Sequence, residues 1–317
     1  MQTPKRLVPF IRKQASWSVP AGMQSLCDEI LARHGKATAA ILFYGSCYRK
    51  RDAFDGLVDA YALVDNYRTA YRSRLSAVFN WLLPPNVYYL EVPHSGQTLR
   101  AKYTVISLAD FQRGSSMDWF HSYIWGRFSQ PAGILHVRRE QDAQAVYSAL
   151  AQSVVTFVTR AVPLVSEQFT ARELWQQGLL FSYRSELRAE RPDKLVGLFE
   201  AASQYYEQIT EAALDFIPFR IDKLTDTETL RYRAHIPPFK RAFNRWAWRL
   251  RFAQGKILSL LRLFKALFTF KGGIDYVLWK IERHSGIAVA EAPRLRRYPL
   301  LGICLIFWRL YRRGAFR

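Results

Sequence analysis

A glycine-serine pair at Gly45-Ser46 ends the apolar run Thr38–Tyr44, and an acid, Asp59, follows after 12 intervening residues inside a second apolar run, Leu57–Val64. Glycine lets a backbone approach a polyphosphate closely, and turn N–H groups with a serine hydroxyl bind its oxygens. A facing carboxylate holds Mg²⁺, which bridges phosphates and neutralises the charge that develops as one is transferred. The residue types therefore suit binding of a polyphosphate and transfer of a phosphate group with Mg²⁺. On spacing alone, an ordinary strand-to-helix turn with a solvated strand-end aspartate fits equally well.

The elements that must position these groups read as α+β. Thr38–Tyr44 is a buried strand entering a tight turn, and Leu57–Val64 a second strand. Alternation puts Asp59, Tyr61, Leu63 and Asp65 on one face and Val58, Ala60, Ala62 and Val64 on the other. Residues 66–82 read as a helix. Residues 86–92 and 98–107 read as strands joined through Pro93–Gly96, with a further strand at 133–137. The sheet is expected to be mixed or mainly antiparallel. From about Glu140 the signal is helical: 141–160, 170–178, and a helix opened by Arg191-Pro192-Asp193 running to about Leu214. The expected organisation is an α+β domain with a mixed or antiparallel sheet (1–139), a helical domain completing the site (140–230) and a basic, aromatic-rich amphipathic helical tail (231–317).

Charge is distributed unevenly. The 317 residues carry 46 Lys/Arg and 26 Asp/Glu, a net +20. Residues 231–317 alone hold 20 of those bases and 3 of the acids, a net +17. A near-neutral body thus carries a strongly basic end, whereas a protein binding nucleic acid over its whole surface would be basic throughout. Three cysteines (Cys27, Cys47, Cys304) show no paired spacing, and the six histidines no metal pattern, which argues against a disulfide framework or a zinc site and fits a reducing compartment. Residues 1–14 are basic without the apolar core of a signal peptide.

Gly-Ser after a strand, then an acid on the next strand, is similar to nucleotidyltransferases of the polymerase-beta type. Those enzymes carry a second acid two residues after the first; here that residue is Tyr61, leaving Asp65, Glu91 and Asp55 as candidates. Over a longer stretch the chain resembles the mitochondrial-type phosphatidate cytidylyltransferases, the translocator assembly and maintenance family. The matching segments occur in that family's order: Phe43-Tyr44-Gly45-Ser46 and Val58-Asp59, then 100–107 (RAKYTVIS), 123–131 (YIWGRFSQP), 181–188 (FSYRSELR) and Arg191-Pro192-Asp193-Lys194, with a fainter match at 264–269 (FKALFT). The sequence departs from that pattern at Cys47 (glycine in the family), Thr104 (glycine), Glu186 (aspartate) and at Ala132 or Gly133 (a basic residue).

The resemblance implies transfer of CMP from CTP to phosphatidic acid, giving CDP-diacylglycerol and pyrophosphate with Mg²⁺, in one or two ions. The nucleophile, a phosphate oxygen, is already anionic, so catalysis reduces to positioning and charge neutralisation. Expected catalytic groups are Asp59, Lys102, Arg127 and Arg188. Expected substrate contacts are Gly45, Ser46, Tyr103, Ser182, Tyr183 and Lys194. Expected metal ligands are Asp59, Asp65, Glu91 and Glu186.

A diacyl substrate requires access to a bilayer. Tyr298–Trp308 is free of charge between Arg297 and Arg309 but short of the roughly 20 apolar residues of a spanning helix. Residues 239–270 alternate aromatics and leucines with bases, and Trp246, Trp248, Trp279 and Trp308 suit an interface. The expected partners are CTP, phosphatidic acid and an anionic membrane surface met by the tail, with no nucleic acid. The expected location is peripheral, on the cytoplasmic face of a bacterial inner membrane or the matrix side of the mitochondrial one. The alternatives are a soluble nucleotidyltransferase acting on RNA or protein, and an inactive membrane-binding module of the same fold.

Overall fold

The structure, a computed structural model, describes residues 4–16, 19–186, 192–224 and 230–269. Helices α1 (Val8–Ala15) and α2 (Met23–His34) precede strand β1 (Thr38–Tyr44), short helix α3 (Gly45–Lys50) and strand β2 (Val58–Val64). Helices α4 (Tyr67–Ala70) and α5 (Arg74–Leu82), hairpin strands β3 (Asn86–His94) and β4 (Gln97–Ser107), helices α6 (Leu108–Ser115) and α7 (Trp125–Phe128), and strand β5 (Gly133–Val137) complete the first half. The five strands form one sheet in the order β3-β4-β2-β1-β5. Its β2–β4 pair is parallel and its other pairs antiparallel, so the sheet is mixed.

Both faces of this sheet are covered, which is why β1 reads as an unbroken apolar run instead of an alternating one. The expected alternation in β2 is present: Tyr61 and Leu63 join one core, Ala60, Ala62 and Val64 the other. The second core is closed by Met23, Leu26 and Ile30 of α2. The first is closed by α8 (Glu140–Ala161), in which 15 of 22 residues are buried. With the turn that follows it, α8 forms a segment (Glu140–Leu164) long and apolar enough to cross a membrane, but 78% of its 18-residue apolar stretch is buried against the rest of the protein, as befits a core helix.

The helix expected over 66–82 is broken in two. Ser73 adopts extended backbone and its side chain accepts from the Ser76 N–H, capping α5. The second half holds helices α9 (Ala171–Arg184), α10 (Pro192–Glu200) and α11 (Ser203–Leu214), the last two separated where Ala202 leaves helical geometry. It also holds a three-stranded antiparallel sheet, β6 (Gln168–Thr170), β7 (Arg220–Leu224) and β8 (Arg231–His235), in the order β6-β8-β7. The region expected to be helical therefore also contains strands, and an edge at residue 231 separates the paired strands β7 and β8. These strands are three to five residues long, and β7 and β8 are rich in charge, so all are too short for period-two alternation to register.

The final described element, α12 (Pro238–Thr269), is one helix of 32 residues. One side is fastened to the body. Trp248 Nε1 donates to the Arg160 carbonyl, Arg251 Nε to the Phe120 carbonyl, and Arg262 Nε to the Pro84 carbonyl. At Gly255 the two backbones meet so closely that a Cβ would lie 2.2 Å from the Ser185 carbonyl oxygen. Trp248 is thus buried and is not an interfacial tryptophan, while Trp246 is half exposed. Trp279, Trp308 and the uncharged stretch at 298–308 lie outside the described residues.

Candidate active site

Gly45 stands at φ +86, where an L side chain is strained, and a Cβ there would come within 3.1 Å of Asp59 Oδ2. The antiparallel pairing of β1 with β2 sets Tyr44 opposite Asp59, so the turn leaving β1 faces the carboxylate entering β2. The parallel pairing of β2 with β4 sets Asp59 beside Lys102. Lys102 Nζ lies 3.0 Å from Asp59 Oδ1, a buried oxygen with no well-formed hydrogen bond. The Asp59 charge raises the Lys102 pKa above its usual value, with burial working against it.

These groups open into a cavity of about 640 Å³ lined by Gly45, Ser46, Arg49, Lys50, Asp59, Lys102, Arg127, Gln130, Tyr183 and Glu186, with Gly197 and Leu198 of α10 on its rim. Its volume is that of a small-ligand site. Four cations and two acids line it, a surplus of positive charge suited to a triphosphate. Lys50 is paired with Asp55 at 2.6 Å. Arg49 has no carboxylate partner among the described residues.

Arg127 and Glu186 form the opposite wall. Arg127 Nη2 donates to both Glu186 oxygens (2.9 and 3.2 Å) and Nη1 to the Tyr123 carbonyl. Burial opposes the guanidinium charge, yet Glu186, with Tyr44, Tyr61 and Tyr123, outweighs it and holds the Arg127 pKa well above the usual value. Arg127 also stacks on the Tyr123 ring at 4.3 Å, and Arg262 of α12 lies over that ring at 4.2 Å. The cavity wall and the basic helix are thus one aromatic ring apart. Tyr183 reaches the cavity from α9, its hydroxyl accepting from Gln130 Nε2.

Of the residues expected from sequence, Gly45, Ser46, Asp59, Lys102, Arg127, Tyr183 and Glu186 are brought together. Others are not. Asp65 follows the far end of β2 from Asp59 and is gripped by Arg138 Nη2 at 2.7 Å, so it cannot share an ion with Asp59. Glu91 is on edge strand β3, held by Arg100 and the Tyr89 hydroxyl. Tyr103 follows Lys102 directly and so points to the other face, where it stacks on Tyr88 and meets His34. Ser182 is buried where α9 packs on the segment before α7, its carbonyl accepting from Ser122 and Ser185. Arg188 and the side chain of Lys194 lie outside the described residues.

Two features escaped the sequence. Arg49 was available as the base one helical turn after Ser46 in Tyr48-Arg49-Lys50-Arg51, a cluster readable as a solvated patch. The burial of Tyr61 is the other: at the position of a second acid, its ring is edge-on to Phe128 at 4.8 Å and belongs to the hydrophobic core. Cys47 fits its position as a buried residue whose thiol donates to the Leu57 carbonyl, with burial and Asp59 pushing its pKa up to about 11.

Mg²⁺ is commonly held by one or two carboxylates plus substrate phosphates. Asp59, which lines the cavity beside the Gly45 turn and is paired with Lys102 through Oδ1 alone, fits that donor set once Lys102 turns to the phosphates, whereas both Glu186 oxygens are engaged by Arg127. Among the described residues no group of three or more His, Cys, Asp or Glu forms a self-sufficient metal site.

The sequence matches a family model described as phosphatidate cytidylyltransferase, mitochondrial, over residues 66–228, just over half of the chain. The chain belongs to that family. It is therefore a nucleotidyltransferase of phospholipid metabolism, a phosphatidate cytidylyltransferase making CDP-diacylglycerol. The match contains Lys102, Arg127, Tyr183 and Glu186; Gly45, Ser46 and Asp59 lie before it. No individual curated protein matches the chain.

Proposed function

We propose that the cavity between the Gly45–Ser46 turn and the Arg127–Glu186 wall is where this phosphatidate cytidylyltransferase transfers CMP from CTP to phosphatidic acid. The observation that carries this is the convergence of Gly45, from the turn leaving β1, with Asp59 of β2 and Lys102 of β4 on one cation-rich cavity. The Gly45 turn and the Ser46 hydroxyl receive the triphosphate, with Arg49 as the cation left over for its terminal phosphates. Lys102 neutralises the α-phosphate, and Arg127, held in place by Glu186, orients the phosphatidate headgroup. Tyr183 is placed to contact the base or ribose.

A phosphatidate oxygen attacks the α-phosphorus of CTP, forming the new P–O–P bond as the α–β anhydride bond breaks and pyrophosphate leaves. No base is needed, because the attacking oxygen carries its charge already. Asp59 would hold Mg²⁺ bound with the nucleotide, and the ion would supply charge neutralisation on the phosphates. Asp59 first has to release Lys102, so nucleotide entry exchanges one ion pair for another.

The outward side of α12 gives this enzyme its membrane. The helix contains eight Lys/Arg and no acid. Phe239, Phe243, Trp246, Leu250, Ile257 and Leu261 recur every three, four or seven residues and are exposed. Such a stripe edged by bases suits the headgroup region of an anionic bilayer, at about 1 kcal/mol per base near the surface. The enzyme then acts as a peripheral protein on the matrix side of the mitochondrial inner membrane, or the equivalent cytoplasmic face in a bacterium.

Equilibrium binding of CTP with Mg²⁺ tests the assignment. Arg49→Ala and Lys102→Met are expected to weaken binding by about tenfold or more each, the range of a lost charge-assisted phosphate contact. Binding unaltered in both variants would place the nucleotide elsewhere.

A further inference from the structure

Helix α5 carries its apolar residues on the wrong side for a helix of a soluble domain. Its inner side buries only Ala77 and Asn80 fully, while Leu75, Val78, Trp81 and Leu82 are 49–71% exposed. Leu75, Val78 and Leu82 follow helical spacing, and together with Trp81 they form a contiguous apolar surface, the kind that marks a binding face.

Its surroundings select the partner. Between Asp65 and Glu91 the chain has no acid, and its three bases, Arg68, Arg72 and Arg74, are all exposed beside the start of α5. An apolar patch with an interfacial tryptophan and a rim of arginines matches an anionic lipid surface.

Its position completes the argument. The segment directly after α5 is the anchor for the far end of α12: Lys265 Nζ donates to the carbonyls of Leu83 and Pro85, and Arg262 Nε to that of Pro84. Trp81 and Leu82 therefore directly precede the segment to which the C-terminal part of α12 is fastened, so both apolar patches belong to one part of the fold.

We infer that α5 is a second membrane-contacting element, inserting Leu75, Val78, Trp81 and Leu82 into an anionic bilayer alongside α12. This rests on the membrane reading of α12 and adds a contact borne by the nucleotidyltransferase sheet itself. Two separated helices fix the tilt of the body, which one helix lying in the interface leaves free to roll.

The test uses the full chain with Cys304→Ser, the remaining Cys27 and Cys47 being buried. An environment-sensitive fluorophore is attached at Val78→Cys, and in a separate protein at Phe243→Cys on α12. Vesicles of phosphatidylcholine with phosphatidylglycerol, which is anionic but not a substrate, are then added, with and without brominated acyl chains. Both probes are expected to shift to the blue and to be quenched by bromine. A response at 243 without one at 78 overturns the inference while leaving α12 as the membrane contact. Silence at both positions overturns both readings. A probe at 78 already blue-shifted before vesicles are added means that another part of the chain or a second copy covers α5, which also overturns the inference. The double variant Leu75→Glu/Trp81→Glu, at exposed positions, is expected to weaken vesicle partitioning about tenfold or more; unchanged partitioning counts against it.

Discussion

Replacing Gly45 by alanine separates the strain of the turn from its role in holding Asp59. At φ +86 an alanine is strained by about 1–2 kcal/mol. Its Cβ would also meet Asp59 Oδ2 at 3.1 Å, so the carboxylate must retreat by a few tenths of an ångström. Gly96 supplies the control. It has φ +78 in the β3–β4 turn, with nothing within 4 Å of its would-be Cβ. Gly96→Ala therefore carries the same strain without touching the site. Both variants are expected to melt lower by roughly 2–8 °C. Only Gly45→Ala should lose turnover, by about tenfold, given that a 1 Å misplacement costs on the order of 10²-fold. The assay is kcat/KM for CTP in mixed micelles of phosphatidic acid, beside thermal melts. Equal activity in the two variants would refute the reasoning that Gly45 is there for the carboxylate's sake.

Three further perturbations follow from the same geometry. Glu186→Gln strands the Arg127 guanidinium in the cavity wall; the pair keeps some exposure, so the expected loss is about 1–3 kcal/mol, below the fully buried range, measured by urea unfolding. Gly255→Val drives a side chain into the Ser185 carbonyl and is expected to destabilise by about 1–3 kcal/mol and to raise proteolytic cleavage within α12. His121 is buried between Trp119 and Tyr123 near Arg160 and Arg262, and burial with those two cations lowers its pKa to about 3. Its folded pKa lies below its unfolded value of 6.5, so this group contributes no loss above pH 6.5 and destabilises progressively as pH falls from there towards 3. His121→Asn should flatten that part of the stability profile; an unchanged acid slope would mean that the ring is not held neutral.

The site was legible where chemistry and local pattern coincide. Gly45-Ser46 and Asp59 stand out because one turn and one alternating strand fix their relation, and Lys102 and Arg127 through motif order. What failed was long-range. Period-two alternation should have excluded Tyr103 once Lys102 was chosen, since neighbours on a strand face opposite ways. Asp65 shares a face with Asp59 but lies six residues along an extended strand, some 20 Å at about 3.3 Å per residue. Arg127 and Glu186 were assigned separate duties, to phosphate and to metal, although they are each other's partner; no spacing rule announces a contact across 59 residues. The small β6-β8-β7 sheet was invisible because short charged strands resemble loops. The basic end reads from composition as a membrane device, but which side of α12 faces outward depends on the body it packs against, and Trp248 was misread for that reason.

The most direct measurement is formation of CDP-diacylglycerol by purified protein with Mg²⁺, CTP and phosphatidic acid in mixed micelles, with Asp59→Asn beside the unaltered chain. The unaltered protein is expected to release product and pyrophosphate in equal amounts. Asp59→Asn, nearly isosteric and still folded, is expected to be slower by about 10²-fold or more. Turnover by Asp59→Asn at the unaltered rate would contradict the assignment of the Gly45–Asp59 cavity as the place where CMP is transferred.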